Sequence, residues 1–263
     1  MWRGVHRETG QVAAVKRTLL DPTARARFRR EVEVQSDLDH PNVMPIWEFS
    51  IDDGWYAMPL AERNLTRAIE EDRDINGYQL APIIREIALG LDYAHRRNYI
   101  HRDVNPNNCL ELRDDDGAAR WVIADWGLVR RPARKSSPRL TRESRPLGTD
   151  GFVAPEALLD SHGADACSDV YSLGRVAHFA LTSVWPRIGF PMPQPGWLWE
   201  DLVEGCTAER ESRIATMRAV GRMARRIEAR AAEMDYTSEG MTCPRCHAPM
   251  TGARCDSCGR VWD

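Results

Sequence analysis

The residues best suited to carry out chemistry lie between positions 99 and 127. Asp103 ends a His-Arg-Asp tripeptide, Asn108 follows five residues later, and Asp125 begins an Asp-Trp-Gly tripeptide. A carboxylate can accept a proton from a hydroxyl, and carboxylate and amide oxygens are ligands that suit Mg²⁺. Either tripeptide alone could arise by chance. Their order and spacing favour a loop that carries a base, followed by a turn that binds a metal ion.

This pattern resembles the eukaryotic-like Ser/Thr protein kinases, whose catalytic loop reads His-Arg-Asp-x-x-x-x-Asn and whose metal-binding turn reads Asp-Phe-Gly. The resemblance implies that Asp103 is the base for the substrate hydroxyl, and that Asn108 and Asp125 hold Mg²⁺ on the phosphates of ATP. Residues 110–112 and 121–124 have the composition of two strands joined by a polar turn. The two metal ligands would then lie on either side of a hairpin.

The elements that would position the phosphates come first in the chain. Residues 1–5 and 11–16 predict a β-hairpin around the turn Glu-Thr-Gly. Its second strand, Val-Ala-Ala-Val-Lys, resembles the kinase strand Val-Ala-Ile-Lys, which implies that Lys16 binds the α- and β-phosphates of ATP. The Gly-rich loop that precedes this hairpin in kinases is missing from the sequence.

By the family's spacing, Met1 occupies the position of the Val that follows the Gly-rich loop. Either the natural chain starts upstream of Met1, or the N-terminal lobe is truncated. The sequence favours the upstream start, because the first strand of the hairpin would otherwise be an unprotected sheet edge.

A helix is predicted over residues 21–39, since Asp21 and Pro22 suit its N-cap and its first position. Glu31 lies nine residues before a His-Pro-Asn tripeptide, as the helical Glu of kinases does. The resemblance implies that Glu31 pairs with Lys16 and holds the ammonium group on the nucleotide. The alternative is that Glu31 is one of several surface charges between positions 29 and 33.

The next elements would bind the adenine ring. Residues 43–49 and 54–59 predict a second hairpin, which turns at Asp-Asp-Gly and leads into Met-Pro-Leu-Ala. The last four residues resemble the kinase hinge, in which a proline is tolerated because only its carbonyl is used. The resemblance implies adenine contacts from four residues, namely Ala14, Pro59, Ala61 and Leu110. Each of them would otherwise be an ordinary core residue.

Three positions depart from the kinase pattern. Gln35 stands where kinases have an apolar residue packed under the Phe of Asp-Phe-Gly, and Trp126 replaces that Phe, so we expect a looser active arrangement. Asn105 replaces the Lys that contacts the γ-phosphate in Ser/Thr kinases. A neutral amide cannot offset developing phosphate charge, so we expect transfer to be roughly 10- to 1000-fold slower than with Lys. Pro106 still favours the Ser/Thr type over the Tyr type.

The remaining chain predicts a helical lobe, because apolar residues recur at helical spacing in two long segments. They are Leu80, Ile83, Ile84, Ile87, Ala88 and Leu91 in the first segment, and Met217, Val220, Ala224, Ile227, Ala231 and Met234 in the second. The resemblance further implies that Asp169 braces the catalytic loop. It also implies that Arg213 pairs with Glu156 of the Ala-Pro-Glu motif.

The segment from Gly127 to Glu156 resembles the activation segment of kinases. It is rich in Arg, contains several Ser and Thr residues, and ends in a form of the kinase pattern Gly-Thr-x-x-[Tyr/Phe]-x-Ala-Pro-Glu. The resemblance implies that Thr149 lines the substrate groove, and that Arg102 receives a phosphate added to this segment by autophosphorylation. The alternative for the basic run is a solvated, mobile loop.

The C-terminal end carries a separate pattern, in which two Cys-x-x-Cys pairs supply the tetrahedral sulfur set that Zn²⁺ prefers. The four ligands would be Cys243, Cys246, Cys255 and Cys258. This pattern resembles a small zinc ribbon with a closed, structural site, and metal binding would supply most of its folding energy. Disulfides or a redox pair are the alternatives.

The composition sets wide limits on function. The chain has 263 residues, of which 43% are hydrophobic and 29% charged, and a formal net charge of −3. These values are typical of a soluble globular protein and point to no nucleic-acid or membrane partner. The sequence contains no signal peptide and no segment long enough to span a bilayer, which predicts a cytoplasmic protein.

We therefore predict an α+β, two-lobe protein kinase-like fold with a small zinc ribbon. An incomplete N-lobe would cover residues 1–60, a helical C-lobe 61–235, a linker 236–242 and the ribbon 243–263. The first functional hypothesis is a Ser/Thr protein kinase that uses ATP, Mg²⁺ and structural Zn²⁺, with the ribbon recruiting an unknown partner. The second is a weakly active or inactive kinase-like scaffold that binds partners through the ribbon. The net charge disfavours a third, a nucleic-acid binder.

Overall fold

The two predicted hairpins form one antiparallel sheet in the strand order β1-β2-β4-β3. Its strands are β1 Trp2–Val5, β2 Val12–Arg17, β3 Glu48–Ser50 and β4 Trp55–Pro59. The computed structural model describes residues 1–18, 21–71, 75, 77–114, 116–129, 148–160, 163–188, 190–237 and 257, except for the side chains of 231–237. Lys16 pairs with Tyr56 in the β2–β4 ladder, so both side chains lie on the same face of the sheet.

Helix α1, Pro22–Asp37, begins where the sequence predicts and ends two residues earlier. The side chain of Asp21 accepts hydrogen bonds from the backbone N–H groups of Thr23 and Ala24, at 2.9 and 3.1 Å, which confirms the N-cap. Glu31 is 5% exposed, whereas Glu33 is exposed. The helix therefore turns Glu31, and not the neighbouring carboxylate, toward the protein interior.

The predicted strand over residues 43–49 is wrong in its extent, since β3 covers Glu48–Ser50. The backbone of Val43 and Met44 instead joins Ile123, and the Met44 N–H donates to the Ile123 carbonyl at 3.0 Å. Pro45 has no N–H group, so it cannot continue a ladder toward β4. The chain returns to the sheet at Trp47, whose N–H donates to the Ala57 carbonyl at 2.9 Å.

The second lobe combines helices with a small antiparallel sheet in the order β5-β6-β7. Its strands are β5 Arg63–Asn64, β6 Cys109–Arg113 and β7 Ala119–Ile123. Its helices are α2 Leu65–Glu71, α3 Gly77–His95, α4 Pro155–Leu159, α5 Ala166–Thr182, α6 Glu200–Thr207 and α7 Met217–Thr237. Helix α7 thus continues two residues into the predicted linker. Every helix among the described residues is too short or too polar to span a lipid bilayer.

The apolar stripes confirm the two predicted helices. All six stripe residues of α3 are buried, as are Met217, Val220, Ala224 and Ile227 of α7. The side chains of Ala231 and Met234 lie outside the described part of the chain. The stripes join one core with α5, which holds the C-terminal lobe together.

A close approach between α3 and the His-Pro-Asn turn fixes the strand that leads to Asp125. A Cβ atom on Gly90 would lie 2.3 Å from the carbonyl oxygen of Asn42, so only glycine fits there. Asn42 in turn accepts a hydrogen bond from the Ile123 N–H at 3.0 Å, and its side chain donates to the Trp121 carbonyl at 2.9 Å. Strand β7 is therefore anchored at two points before it reaches the Asp-Trp-Gly turn.

An ion pair between Glu156 and Arg213 joins α4 to the chain after α6, as the sequence predicts. Two guanidinium nitrogens of Arg213 donate to the two carboxylate oxygens at 2.6 and 3.1 Å, and Arg213 is 6% exposed. Burial raises the pKa of Glu156, but the hydrogen bonds and charge of Arg213 outweigh it and hold the pKa below its ordinary value. Glu156 is therefore ionised in the folded protein at neutral pH.

We expect Glu156→Gln to lower the free energy of unfolding by about 2 kcal/mol at pH 7, because it leaves the buried guanidinium of Arg213 without a counter-charge. Since folding lowers the pKa of Glu156, its contribution is complete above the unfolded pKa and disappears as the pH falls through the folded value. Urea unfolding at several pH values should show that the difference in free energy of unfolding between the parent and Glu156→Gln becomes smaller in acid. Glu211→Gln, at an exposed carboxylate nearby, is the control and should change little; a difference that persists in acid would contradict this account.

Candidate active site

Three strands and a helix bring together the residues expected to hold the phosphates. The ammonium group of Lys16 on β2 lies 2.5 Å from Oε1 of Glu31 on α1 and 3.4 Å from Oδ1 of Asp125, just after β7. The hydroxyl of Tyr56 on β4 donates to the same Glu31 oxygen at 2.6 Å. The predicted Lys16–Glu31 pair is therefore formed, and Tyr56 is an additional member that the sequence analysis missed. The opposed positions of residues 16 and 56 in the hairpins could have indicated it.

Burial and charge act in opposite directions on this pair. Burial lowers the pKa of Lys16, but the carboxylates of Glu31 and Asp125 outweigh it and raise the pKa above its ordinary value. Burial and the nearby carboxylate of Asp125 raise the pKa of Glu31 above its ordinary value, although the ammonium group of Lys16 and the hydroxyl of Tyr56 act to lower it. Burial and the adjacent Glu31 also raise the pKa of Tyr56, so this hydroxyl keeps its proton. Lys16 thus stays a cation that can meet a phosphate.

The carboxylate of Asp103 is held by four side-chain and backbone donors. Its Oδ1 accepts from the N–H and the hydroxyl of Thr149 at 2.9 and 2.8 Å, and from Nδ2 of Asn105 at 3.0 Å. Nδ2 of Asn108 donates to the Asp103 carbonyl at 2.8 Å and lies 3.3 Å from Oδ2. The structure therefore brings the predicted base, the predicted metal ligand Asn108 and the predicted groove residue Thr149 into one cluster.

Asp169 braces the backbone of the catalytic loop, as predicted. Its carboxylate accepts from the N–H groups of His101 and Arg102, both at 2.8 Å, and lies 2.7 Å from Nε2 of His95. Burial raises the pKa of Asp169, but these hydrogen bonds and the nearby imidazoles have the larger, opposite effect. The pKa therefore lies below its ordinary value, and the group is ionised. The brace supports Arg102, whose backbone adopts a left-handed conformation with φ of 72° directly before the base.

The Asp-Trp-Gly turn, the predicted metal site, lies beside the His-Arg-Asp loop. The Ala124 N–H donates to the Asn108 carbonyl at 2.9 Å, which places Asp125 next to Asn108. Asp125 has a φ of 64°, a strained value for a non-glycine residue that is common at functional sites. Because Asn108 uses its NH₂ group on Asp103, its amide oxygen can face a cation, and the half-exposed carboxylate of Asp125 can do the same. This donor set fits Mg²⁺, which takes few protein ligands and completes its shell with phosphate oxygens and water.

The residues expected around adenine are near one another. Ala14, Ala61 and Leu110 belong to one apolar cluster, and Ala14 is 3% exposed. Pro59 ends β4 and pairs with Ala13 on β2. Their adenine contacts remain a prediction.

The two departures at Gln35 and Trp126 are both completely enclosed. Trp126 is 0% exposed and its ring packs against His101 at a centroid distance of 4.6 Å. Gln35 is 1% exposed, and its Nε2 donates to the Met44 carbonyl at 2.9 Å. Its amide therefore ties α1 to the segment before β3, a contact that an apolar residue could not make. No pattern in the sequence indicates this partner of Gln35.

Asn105 has a structural contact that its sequence position does not reveal. Its side-chain oxygen accepts from the Asn107 N–H at 2.9 Å and caps a 3₁₀ turn, Pro106–Asn108, while its NH₂ group donates to Asp103. The residue is 2% exposed. Asn105 therefore orients Asp103, the predicted base, rather than extending toward a phosphate as a Lys would.

Two predicted features lie outside the described residues. They are most of the activation segment, residues 130–147, and the four cysteines of the predicted ribbon. In the part of the chain that the structure describes, no group of three or more His, Cys, Asp or Glu side chains could hold a metal ion by itself. The Asn108–Asp125 pair differs from such a group because it needs phosphate oxygens to complete its coordination.

Comparisons with known proteins agree with this geometry. The sequence pattern of the protein kinase domain family matches residues 1–188. Serine/threonine-protein kinase PknJ of Mycobacterium tuberculosis is 32% identical over 213 residues, which cover 76% of this chain and 36% of PknJ. PknF of the same organism is 33% identical over 171 residues, 63% of this chain and 35% of PknF. The Aurora kinase of Debaryomyces hansenii is 31% identical over 188 residues, 69% of this chain and 44% of that kinase. The chain thus spans less than half of the length of each relative.

Proposed function

The chain belongs to the protein kinase domain family, and from this membership we propose that it transfers the γ-phosphate of ATP to Ser or Thr hydroxyls of proteins. The observation that carries the proposal is the placement of Asp103 beside Asn108 and Thr149. The formed Lys16–Glu31 pair supports it, because kinases need this pair to hold the nucleotide. The names of the similar bacterial kinases support Ser and Thr as the acceptors.

Each residue has a specific task in this proposal. Asp103 accepts the proton of the incoming hydroxyl, and the Thr149 hydroxyl and Asn105 amide hold its carboxylate in place. Lys16, kept protonated by Glu31, binds phosphate oxygens. Bound at Asn108 and Asp125, Mg²⁺ would supply positive charge to the phosphates. The adenine would lie against Ala14, Pro59, Ala61 and Leu110.

The direct test is transfer of radiolabelled phosphate from ATP to a generic basic protein, with and without Mg²⁺. We expect transfer that depends on Mg²⁺ and is lost in Asp103→Asn, with phosphoserine or phosphothreonine as the product. A reaction that contains the chain but no substrate protein measures autophosphorylation. Phosphotyrosine as the product would contradict the acceptor class, and equal transfer by Asp103→Asn would contradict the assigned base.

A specific observation favours a second function, a kinase-like scaffold with weak or no activity. Asn105 supplies no positive charge toward the γ-phosphate and is already bonded to Asp103 and to the Asn107 N–H. Lack of transfer, combined with intact nucleotide binding in a thermal-shift assay, would favour the scaffold over the enzyme.

We expect Asn105→Lys to raise the rate of phosphate transfer about 10-fold, because the ammonium group offsets charge that develops on the phosphoryl group. The change also removes the cap of the 3₁₀ turn, which should cost about 1 kcal/mol of stability. Asn107→Lys is the control, since it adds the same charge at an exposed neighbouring position. Steady-state kinetics of the two variants provide the comparison; equal rates in Asn105→Lys and the parent would contradict the prediction, because the added charge would then not outweigh the lost contacts to Asp103 and the Asn107 N–H.

We further propose that Cys243, Cys246, Cys255 and Cys258 bind one Zn²⁺ ion and form a partner-recruiting ribbon, because two Cys-x-x-Cys pairs supply four thiolate ligands. Atomic emission should find about one zinc per chain in the parent and almost none in Cys243→Ser/Cys246→Ser. Cys109→Ser/Cys206→Ser, at two buried cysteines elsewhere, should keep the zinc. Zinc-free protein whose four C-terminal cysteines resist alkylation until reduced would instead indicate disulfides.

A further inference from the structure

A positively charged groove runs between α3 and α7 and has no part in the proposed phosphate transfer. We call it the basic groove and define it by Arg85 and Leu89 on α3, Arg96 in the turn directly after α3, and Arg218, Arg222 and Arg225 on α7. The groove is open to solvent and has a volume of about 830 Å³. None of these residues is among those expected to bind ATP or Mg²⁺.

The charges of the basic groove are only partly compensated. Arg85 pairs with Glu228 at 3.1 Å, Arg96 pairs with Asp92 at 3.1 Å, and Arg218 lies 3.8 Å from the same Asp92 oxygen. The lining thus contains five guanidinium groups and two carboxylates, a net charge of +3 in a chain whose net charge is −3.

Arg222 and Arg225 are both exposed. Within the described part of the chain, neither has a carboxylate within ion-pairing distance, in contrast to the other three arginines of the groove. The two are three residues apart on α7, so their guanidinium groups lie on the same face of the helix and can bind anionic groups one helical turn apart. Arg222 and Arg225 are therefore the part of the groove best suited to an acidic ligand.

The groove also presents apolar surface between its charges. Leu89 is 41% exposed although it belongs to a helix whose other face forms the core. Helix α7 comes close to α3 at Gly221, where a Cβ atom would lie 3.7 Å from the Cβ of Ala88. Gly221 and Leu89 both line the groove.

This combination of features selects one class of ligand. A polyanion such as nucleic acid would use the arginines but gain little from Leu89, and the described residues that line the groove include no aromatic side chain on which a base could stack. An amphipathic peptide uses both, because its acidic residues meet the arginines while an apolar residue covers Leu89. Charge complementarity and the exposed leucine therefore both favour a protein segment.

We propose that the basic groove is a docking site for an acidic, amphipathic segment of a partner protein. The segment carries carboxylates about one helical turn apart, next to an apolar residue that packs on Leu89. Binding there needs neither ATP nor the catalytic residues, so the proposal is independent of the proposed kinase activity.

The test is fluorescence anisotropy with a labelled synthetic helix of Glu, Leu and Ala, in which Glu residues flank one leucine face. We expect Arg222→Glu/Arg225→Glu to weaken binding at least about 10-fold, because it replaces attraction by repulsion at two contacts. Arg226→Glu/Arg230→Glu is the matched control, since it makes the same charge change on the same helix at exposed residues outside the groove. It should weaken binding less than about 2-fold.

Further arms of the experiment separate the ligand classes. A peptide probe with Ser in place of its Leu residues should bind the parent protein more weakly than the original probe does. The original probe should likewise bind the Leu89→Ser variant more weakly than it binds the parent protein. Circular dichroism of each variant shows whether its helices are intact. Equal loss in both double variants would overturn the proposal, because it would show general charge attraction. Tighter binding of a labelled DNA oligonucleotide through Arg222 and Arg225, or no binding of the peptide up to about 1 mM, would overturn it as well.

Discussion

Replacement of Asp103 by Asn is expected to lower the rate of phosphate transfer about 1000-fold while nucleotide affinity stays unchanged. The amide cannot accept the proton of the substrate hydroxyl, although it can still accept hydrogen bonds through its oxygen. The fold of the loop should survive for that reason, since Thr149 donates to one oxygen of residue 103 and the loop backbone is held separately by Asp169. The loss would therefore report on proton transfer rather than on unfolding.

The measurement is single-turnover phosphate transfer, combined with binding of a fluorescent ATP analogue. Asp150→Asn is the matched control, because it removes an exposed carboxylate next to Thr149. It should leave both quantities close to those of the parent. A loss of nucleotide binding in Asp103→Asn that equals the loss of transfer would show that the residue supports the site without acting as its base.

Local signals in the sequence were sufficient to predict the helices whose caps and apolar stripes lie within a short segment of chain. Asp21 and Pro22 marked the start of α1, and the apolar stripe of α3 marked a buried helix, because capping and helical periodicity depend on neighbouring residues. The Lys16–Glu31 pair came from the resemblance to kinases, since no local pattern distinguishes Glu31 from the other charges of α1. The family's spacing thus supplied a long-range contact that propensities cannot.

The errors and omissions have a common physical cause, which is pairing between distant parts of the chain. Residues 43–45 fail to extend β3 because Met44 bonds to Ile123, almost eighty residues later in the chain. Tyr56 escaped notice because its partner Glu31 lies on another element. Gln35 had no predicted partner, because the Met44 carbonyl that accepts from its Nε2 lies on another segment. Single-sequence patterns contain little information on such contacts.

Asn105 illustrates how a departure from a family pattern can be read in two ways. From the sequence it is a missing positive charge. In the structure its amide caps the 3₁₀ turn and donates to Asp103, so it contributes to the position of the base. A loss of electrostatic stabilisation and a gain in orientation therefore occur at the same residue, and only the rate of the Lys variant tells which is larger.

Replacement of Lys16 by Met is expected to have two separable effects. Transfer should fall about 100- to 1000-fold, because a cation that contacts the phosphates is lost. The free energy of unfolding should also fall by about 3 kcal/mol, because the Glu31 carboxylate, with a side chain only 6% exposed, loses its counter-ion. Tyr56 still donates to Glu31, but a neutral hydroxyl cannot balance a buried charge.

The double variant Lys16→Met/Glu31→Gln separates stability from catalysis. The glutamine introduced by Glu31→Gln would carry no charge and could still accept the hydrogen bond from Tyr56, so most of the lost stability should return, whereas transfer should stay as low as in Lys16→Met. Lys16→Met/Glu33→Gln is the matched control, because residue 33 is exposed on the same helix, and it should recover nothing. Urea unfolding and single-turnover kinetics of the four proteins test this prediction. If Lys16→Met alone were as stable as the parent, the buried ion pair would not exist in solution; if the double variant regained transfer, Lys16 would act by keeping Glu31 neutralised and not by binding phosphate.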